Sequence, residues 1–379
     1  MSEYQYYEFR AIDRPLDRAA RSALRSVSSR AQITARRFTN HYEWGDFSGD
    51  PHEFMARWFD LHLYFANWGT RCLMIGLPSR HMDRARLAAL VRDIDWVQLG
   101  EAGDNLILTF HLQTEERLDD LKLEDDSDWL DDLAPLRDEL LAGDLGLFHL
   151  AWLKLVEYGE IADETLEPLP GPGPMREARE SFAAFFEIDP DLVEAAVEAV
   201  AVPAVEPDAR AALAAIDEEE KTALLLRVLE GDALVAAELK RRIRPATAPS
   251  TAPRRSVGML RQRAQEIAAA RARAEAERAE ADRRRKAAEA QAAQRVRLVA
   301  LRRRGEAVWR EVEAAIERRN RPGYDEAIGL LGDLQAMATE DGVLDEFTRR
   351  IAALRIRHEK KGKFIERLAP FGGNETLLD

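Results

Sequence analysis

The sequence predicts an α+β fold, with a small N-terminal α+β domain followed by a mainly helical region. Three observations carry this. Aromatic and β-branched runs alternate with helical spacings up to about residue 113, only helical patterns follow, and between Ile267 and Val296 alanine is the sole apolar residue. That last segment is a strong helix former with no core to bury. Alanine, arginine and glutamate have high helix propensity, and Glu280 to Arg284 and Asp282 to Lys286 are acid-first pairs at i,i+4.

The first strand is expected over Tyr4 to Ile12, and the leucine and alanine spacing from Leu16 to Val27 predicts a helix. A second strand is expected from Ile33 to Trp44. The turn GDFSGDP then leads to a helix with Asp50 as N-cap and Pro51 at its first position, whose apolar face is Phe54, Trp58, Leu61 and Phe65. A strand from Cys72, a helix from Met82 to Ile94 and the strands WVQLG and NLILTFHL complete the domain. The last two are joined by a hairpin at Ala102, Gly103 and Asp104. A ferredoxin-like split βαβ arrangement is the expected topology.

From Glu115 to Glu167 the chain is acidic and helical, with an apolar face from Leu145 to Leu155, and PLPGPGP at Pro168 to Pro174 marks a break. Helices are expected at Met175 to Phe186, Pro190 to Val200, Pro207 to Ile216, through Leu224 to Gly231, and from Asp232 to Ile243. An exposed hinge, PATAPSTAP, precedes an arm from Val257 to Arg319. As one unbroken helix that arm would reach about 95 Å. Val308, Trp309, Val312 and Ile316 restore an apolar face, and two further helices with a leucine-rich core close the chain. The expected segments are thus 1–113, 114–167, 175–244, a linker at 245–256, the arm at 257–319 and a helical hairpin at 320–379.

Composition narrows the function classes. The 379 residues contain 46% apolar side chains, enough for real cores, and the single cysteine, Cys72, excludes an intramolecular disulfide and a four-cysteine zinc site. Cys72 reads as a buried strand residue. No basic-then-apolar leader opens the chain and no stretch of twenty apolar residues occurs, so a cytoplasmic protein with no membrane partner is expected. The net charge of −14 is uneven. Residues 1–237 hold 23 basic and 47 acidic side chains, whereas 238–379 hold 32 and 22. An acidic body joined to a basic arm fits contact with nucleic acid, with an acidic protein, or with the body itself.

Catalytic and metal motifs are lacking. His41, His52, His62 and His81 show no HxxxH or HExxH spacing, and LEDDSDWLDD has neither the glycine nor the final glutamate of a calcium loop. No phosphate loop and no GxSxG elbow occur, so no cofactor, metal or catalytic residue is assigned. The most specific polar cluster is NHYEWGDFSGDP. His41, Tyr42, Glu43, Trp44 and Asp46, with Trp68 from YFANWGT, form a candidate patch for a ligand or partner. Cross-strand packing of Tyr42 and Trp44 is the plainer account of the same residues. In the arm, Arg283, Arg284, Arg285 and Lys286, then Arg302, Arg303 and Arg304, are candidate phosphate contacts. Without interleaved aromatics they would not read a base sequence.

EKTALLLRVLEGD with ELKRRIRP, then YDEAIGLLGDLQAMATEDG and DEFTRRIAALRIRHEKKGKFIERL, resembles the helical tail of bacterial proteins carrying a SWIM-type zinc finger. The opening EYQYYEFRAIDRPL looks like that of uncharacterised bacterial proteins. The finger's CxC and CxH ligands are absent here, so no metal residue carries over. The resemblance implies a shared helical scaffold and a setting near helicase-like ATPases and nucleic acid. The expected function is a non-enzymatic adaptor or scaffold that assembles, with itself or a protein partner, through 257–319. The alternatives are a nucleic-acid-associated accessory protein and an enzyme with its site at His41 to Asp46.

Overall fold

The computed structural model describes residues 4–43, 45, 47–114, 129–168, 171–198, 209–232, 234–243 and 254–371. Two compact units divide the chain, Met1–Arg271 and Ala272–Asp379, so the boundaries expected at 113 and 175 fall inside the first.

The first unit begins β1 (Gln5–Arg10), α1 (Arg18–Val27), β2 (Gln32–Ile33), β3 (Arg37–Tyr42), α2 (Pro51–Arg57), β4 (Leu61–Ala66), β5 (Thr70–Pro78), α3 (Arg84–Val91), β6 (Val97–Ala102) and β7 (Asn105–Gln113). The α+β class is as expected. The strands form one seven-stranded sheet in the order β2-β3-β1-β4-β5-β7-β6, and every pairing is antiparallel. A split βαβ unit requires a parallel pair, so this sheet is not the ferredoxin-like one.

Three local differences have simple causes. The expected strand from Ile33 is cut at residues 34–36, where Thr34 N–H bonds the Arg37 carbonyl at 2.8 Å and turns the chain back on itself. The helix after Pro51 stops at Arg57, and Leu61 and Phe65 lie in β4 instead. A spacing of four fits one helical turn and also two strand repeats, and Leu63 between them settles it as a strand. Asp50 caps α2 through His52 N–H at 2.8 Å, and Ala102 pairs Asn105 across a turn with Gly103 at φ +61°.

One sheet face carries Leu61, Leu63 and Phe65, then Leu73, Ile75 and Leu77, then Leu106, Leu108 and Phe110. Helices α4 (Trp129–Leu133), α5 (Pro135–Leu141), α6 (Gly146–Glu157), α7 (Glu177–Phe185) and α8 (Pro190–Glu198) supply residues to the same core. Helix α6 is buried on all sides from Gly146 to Val156, as a central helix must be when it has no polar face. The opposite face, under α1 and α2, is sealed at one end by Phe9, Phe38, Phe54 and Phe59. Three arginines with side chains almost wholly buried fasten the helices. Arg71 donates to the Phe185 carbonyl at 2.5 Å and pairs with Glu187, Arg137 donates to the Gly76 carbonyl at 2.8 Å, and Arg179 pairs with Glu139 at 2.8 Å and Asp144 at 2.5 Å. Such pairs do little for net stability, yet breaking one is costly, because it leaves the other partner alone in the interior.

Then come α9 (Ala209–Ala214), α10 (Glu218–Leu229), α11 (Val235–Ile243) and α12 (Val257–Arg304). The first turns of α12 bury Val257, Leu260, Ala264 and Ile267 in the core of the first unit. The expected arm to Arg319 is therefore two helices. Gly305, at φ +51° and ψ −129°, ends α12, and α13 (Glu306–Glu317) starts afresh. Gly305 occupies a region closed to other L-residues.

In the second unit α13, α14 (Arg321–Glu340), α15 (Leu344–Arg357) and α16 (Gly362–Leu368) enclose Val312, Ile316, Leu331, Phe347, Ile351 and Phe364. Ion pairs join Glu306 to Arg350, Glu313 to Arg357 and Glu317 to Lys361, each 44 residues apart. A constant separation means that α13 runs parallel to the elements it meets, with α14 as the return. These pairs are exposed and worth about 0.2–1 kcal/mol each, so the unit rests on its apolar core.

Candidate functional site

Successive residues of a strand face opposite ways, and this divides the patch expected at the end of β3. His41 lies with Tyr4 and Tyr6: the Tyr4 hydroxyl is 2.8 Å from His41 Nδ1, and the Tyr6 ring centroid is 4.8 Å away. Tyr42 lies on the other face, edge-on to Tyr7 at 5.7 Å. Glu43 is close enough to Tyr4 for its charge, after burial, to raise the phenol pKa. Trp68 is half-buried in the β4–β5 turn, and Trp44 and Asp46 lie outside the described residues. The structure thus gathers His41 and Glu43 around Tyr4 and leaves Tyr42 across the sheet.

A buried charge centre that the sequence reading did not single out lies on the same face as Tyr6. The Glu8 carboxylate is inaccessible, accepts the Tyr6 hydroxyl at 2.7 Å and Arg10 Nη2 at 3.2 Å, and meets Arg37 Nε at 2.7 Å. Burial, then the Glu8 charge, pushes the Tyr6 phenol far above its ordinary range. Its one visible signal was a carboxylate inside an aromatic strand, YQYYEFR.

Across the sheet, strand register builds the floor of a groove. One row runs Tyr7, Tyr64, Cys72 and His111, and the next runs Phe9, His62, Met74, Thr109 and Gln98. Beside Pro51 and His52 these rows leave a cavity of about 390 Å³. Tyr7 and Tyr64 both donate to Gln5 Oε1, at 3.0 and 3.2 Å, which orients the two phenols. His62 stacks on Phe9 with centroids 3.9 Å apart, and its Nδ1 is 2.9 Å from the Glu8 carbonyl oxygen. Burial lowers its pKa to about 3, so the ring is neutral. Burial likewise pushes the Cys72 thiol up to about 12. A thiol in that state is no nucleophile at neutral pH. The groove offers aromatic faces and polar groups, which is the chemistry of binding. Among the described residues no three His, Cys, Asp or Glu side chains are grouped to hold a metal ion.

On α12 every residue from Ala269 to Arg297 is exposed. Of the candidate phosphate contacts, Arg284 pairs with Glu280 at 2.5 Å, and Arg285 with Asp282 at 3.0 Å and Glu289 at 4.0 Å. Arg302 pairs with Glu340 at 3.0 Å and Asp341 at 2.5 Å, and Arg304 with Glu311. Arg283, Lys286 and Arg303 have no carboxylate within ion-pair reach among the described residues.

No family model matches the chain, and neither the curated proteins nor the solved structures contain a match. Among the described residues no helix is long and apolar enough to cross a membrane.

Proposed function

We propose that the protein is a non-enzymatic assembly factor that pairs with a second copy of itself through the exposed run of α12. The observation that carries this is the unbroken exposure from Ala269 to Arg297, a length of helix whose small side chains meet no core. Charge order supports self-pairing. Residues 272–282 hold four acidic and two basic side chains, and 283–297 hold six basic and one acidic. Two such helices laid antiparallel, crossing near residue 283, set each acidic block against the other copy's basic block. An alanine seam buries little area, so the pairing is weak and owes much of its strength to charge.

Sedimentation velocity of the full chain over a concentration series, in 50 and 500 mM salt, tests this. A dimer at low salt that dissociates at high salt, and that is lost in R284E/K286E, is the expected result. A monomer at every concentration overturns it.

Arg283, Lys286 and Arg303 favour one second reading, phosphate contact with nucleic acid, in keeping with the resemblance to SWIM-associated tails. Salt-sensitive binding of labelled DNA or RNA by the monomer would put that reading first. The enzyme reading is the least favoured: His41 and Glu43 stand beside Tyr4, but Tyr42 lies on the opposite face of the sheet.

A further inference from the structure

The first unit is strongly acidic, yet one cleft in it gathers unpaired arginines. Arg80 precedes α3, Arg86 lies in its first turn, and Arg241 lies near the end of α11, and these line a cavity of about 380 Å³. An adjoining cavity shares Arg80, His81, Leu141 and Arg241.

Two other arginines on this surface are paired. Arg227 meets Asp232 and Glu238, each at 2.8 Å, and Arg242 meets Glu238 at 2.7 Å and also Glu220. By contrast Arg80, Arg86 and Arg241 have no carboxylate within 4 Å among the described residues. Two of them are nonetheless positioned. Arg80 Nε donates to His81 Nε2 at 3.0 Å, and Arg241 Nη1 donates to the His81 carbonyl at 2.8 Å, so both guanidinium groups are tethered at one residue. Burial, then the Arg80 charge, lowers the His81 pKa against the charges of Glu238 and Asp232, and Asp232 in turn feels the Arg80 charge. Asp83 is the acid at the cleft wall, and its Oδ1 accepts Arg86 N–H at 3.0 Å as the cap of α3. Beneath lie Leu87, Leu140, Leu141 and Leu145, all buried.

Three guanidinium groups over an apolar floor match a multiply charged, compact oxyanion. Their planar forks suit phosphate oxygens, and the low-dielectric floor strengthens the attraction. We propose that this cleft binds the phosphate group of a small phosphorylated molecule, whose uncharged part rests on the leucines. A monocarboxylate would be held more weakly, having a single charge to offer three arginines.

Isothermal titration of the full chain with inorganic phosphate, pyrophosphate and ATP, at constant ionic strength, tests the site, with R80Q, R241Q and the distant R21Q compared by circular dichroism for folding. The expected result is binding to at least one probe, weakened tenfold or more in R80Q and R241Q and unchanged in R21Q. Stronger binding of ATP than of phosphate or pyrophosphate would assign the leucine floor to a nucleoside. No binding of any probe, or binding equal in R80Q and R241Q to the unaltered chain, overturns the proposal; the latter would place the anion elsewhere, on α12 for instance. A failed dimer test leaves this result untouched, because the cleft shares no residue with the exposed run of α12.

Discussion

Arg137 on α5 grips Asp13 with both arms of its guanidinium, Nη1 to Oδ1 at 2.9 Å and Nη2 to Oδ2 at 2.6 Å, across 124 residues of chain. Asp60 Oδ1 stands 3.7 Å from the same Nη2, and its other oxygen accepts the Ile12 and Asp13 N–H groups. Asp13→Asn leaves a buried guanidinium short of charge and is expected to cost about 3 kcal/mol. Adding Arg137→Met should then cost less than it does alone, since the nearer of its two carboxylate partners is already lost. Strict additivity in urea unfolding would refute the coupling.

His62 makes stability depend on acid. Folded, it titrates at about 3, against 6.5 when free. Between those values the unfolded chain takes up a proton that the folded chain refuses. Its contribution is therefore complete above pH 6.5 and falls as the pH drops towards 3, by something of the order of 5 kcal/mol. His62→Phe keeps a ring against Phe9 but removes the proton site. Urea midpoints at pH 7, 5.5 and 4.5 should fall less steeply for the variant; equal slopes would count against a neutral buried imidazole.

Cys72 should be silent towards thiol reagents. It is 5% exposed and its thiol is pushed up to about 12, so few thiolates form at pH 7.5. Iodoacetamide labelling is expected to be slow for the folded chain and fast in guanidinium chloride. Rapid labelling of the folded chain would mean that the groove opens to its floor.

Gly305 is expected to resist substitution. Alanine there is strained by about 1–3 kcal/mol, unless α12 and α13 fuse into one helix and pull apart the contacts of Leu298, Leu301 and Val308. Either response should speed hydrogen exchange in α13 and α14 of Gly305→Ala, and unchanged protection would show that the break is not needed.

The elements best read from sequence were those with local chemistry. Asp50 before Pro51 announced a helix start, and Ala102, Gly103 and Asp104 announced a hairpin, because a few adjacent residues decide each. Gly305 was passed over because one glycine among helix formers looks tolerable until its neighbours' packing is known. Leu61 and Phe65 misled because four residues is a repeat of both helix and strand. The candidate patch was half legible: aromatic and acidic residues at a strand end were visible, but not that alternate residues leave His41 and Tyr42 on opposite faces. The anion cleft was out of reach altogether, since His81 and Arg241, whose contact closes it, stand 160 residues apart along the chain.

The sheet's last strand ends at Gln113, but the core on its main face also draws on residues as far along as Ile267. During synthesis all seven strands would leave the ribosome before their lid has been made. For that interval a broad apolar surface, with Arg71 awaiting Phe185 and Glu187, stands open to the cell. A chain that stalls between those points is a nascent product in need of a chaperone, and fragments ending near Gln113 should be recovered as aggregates rather than as a folded domain.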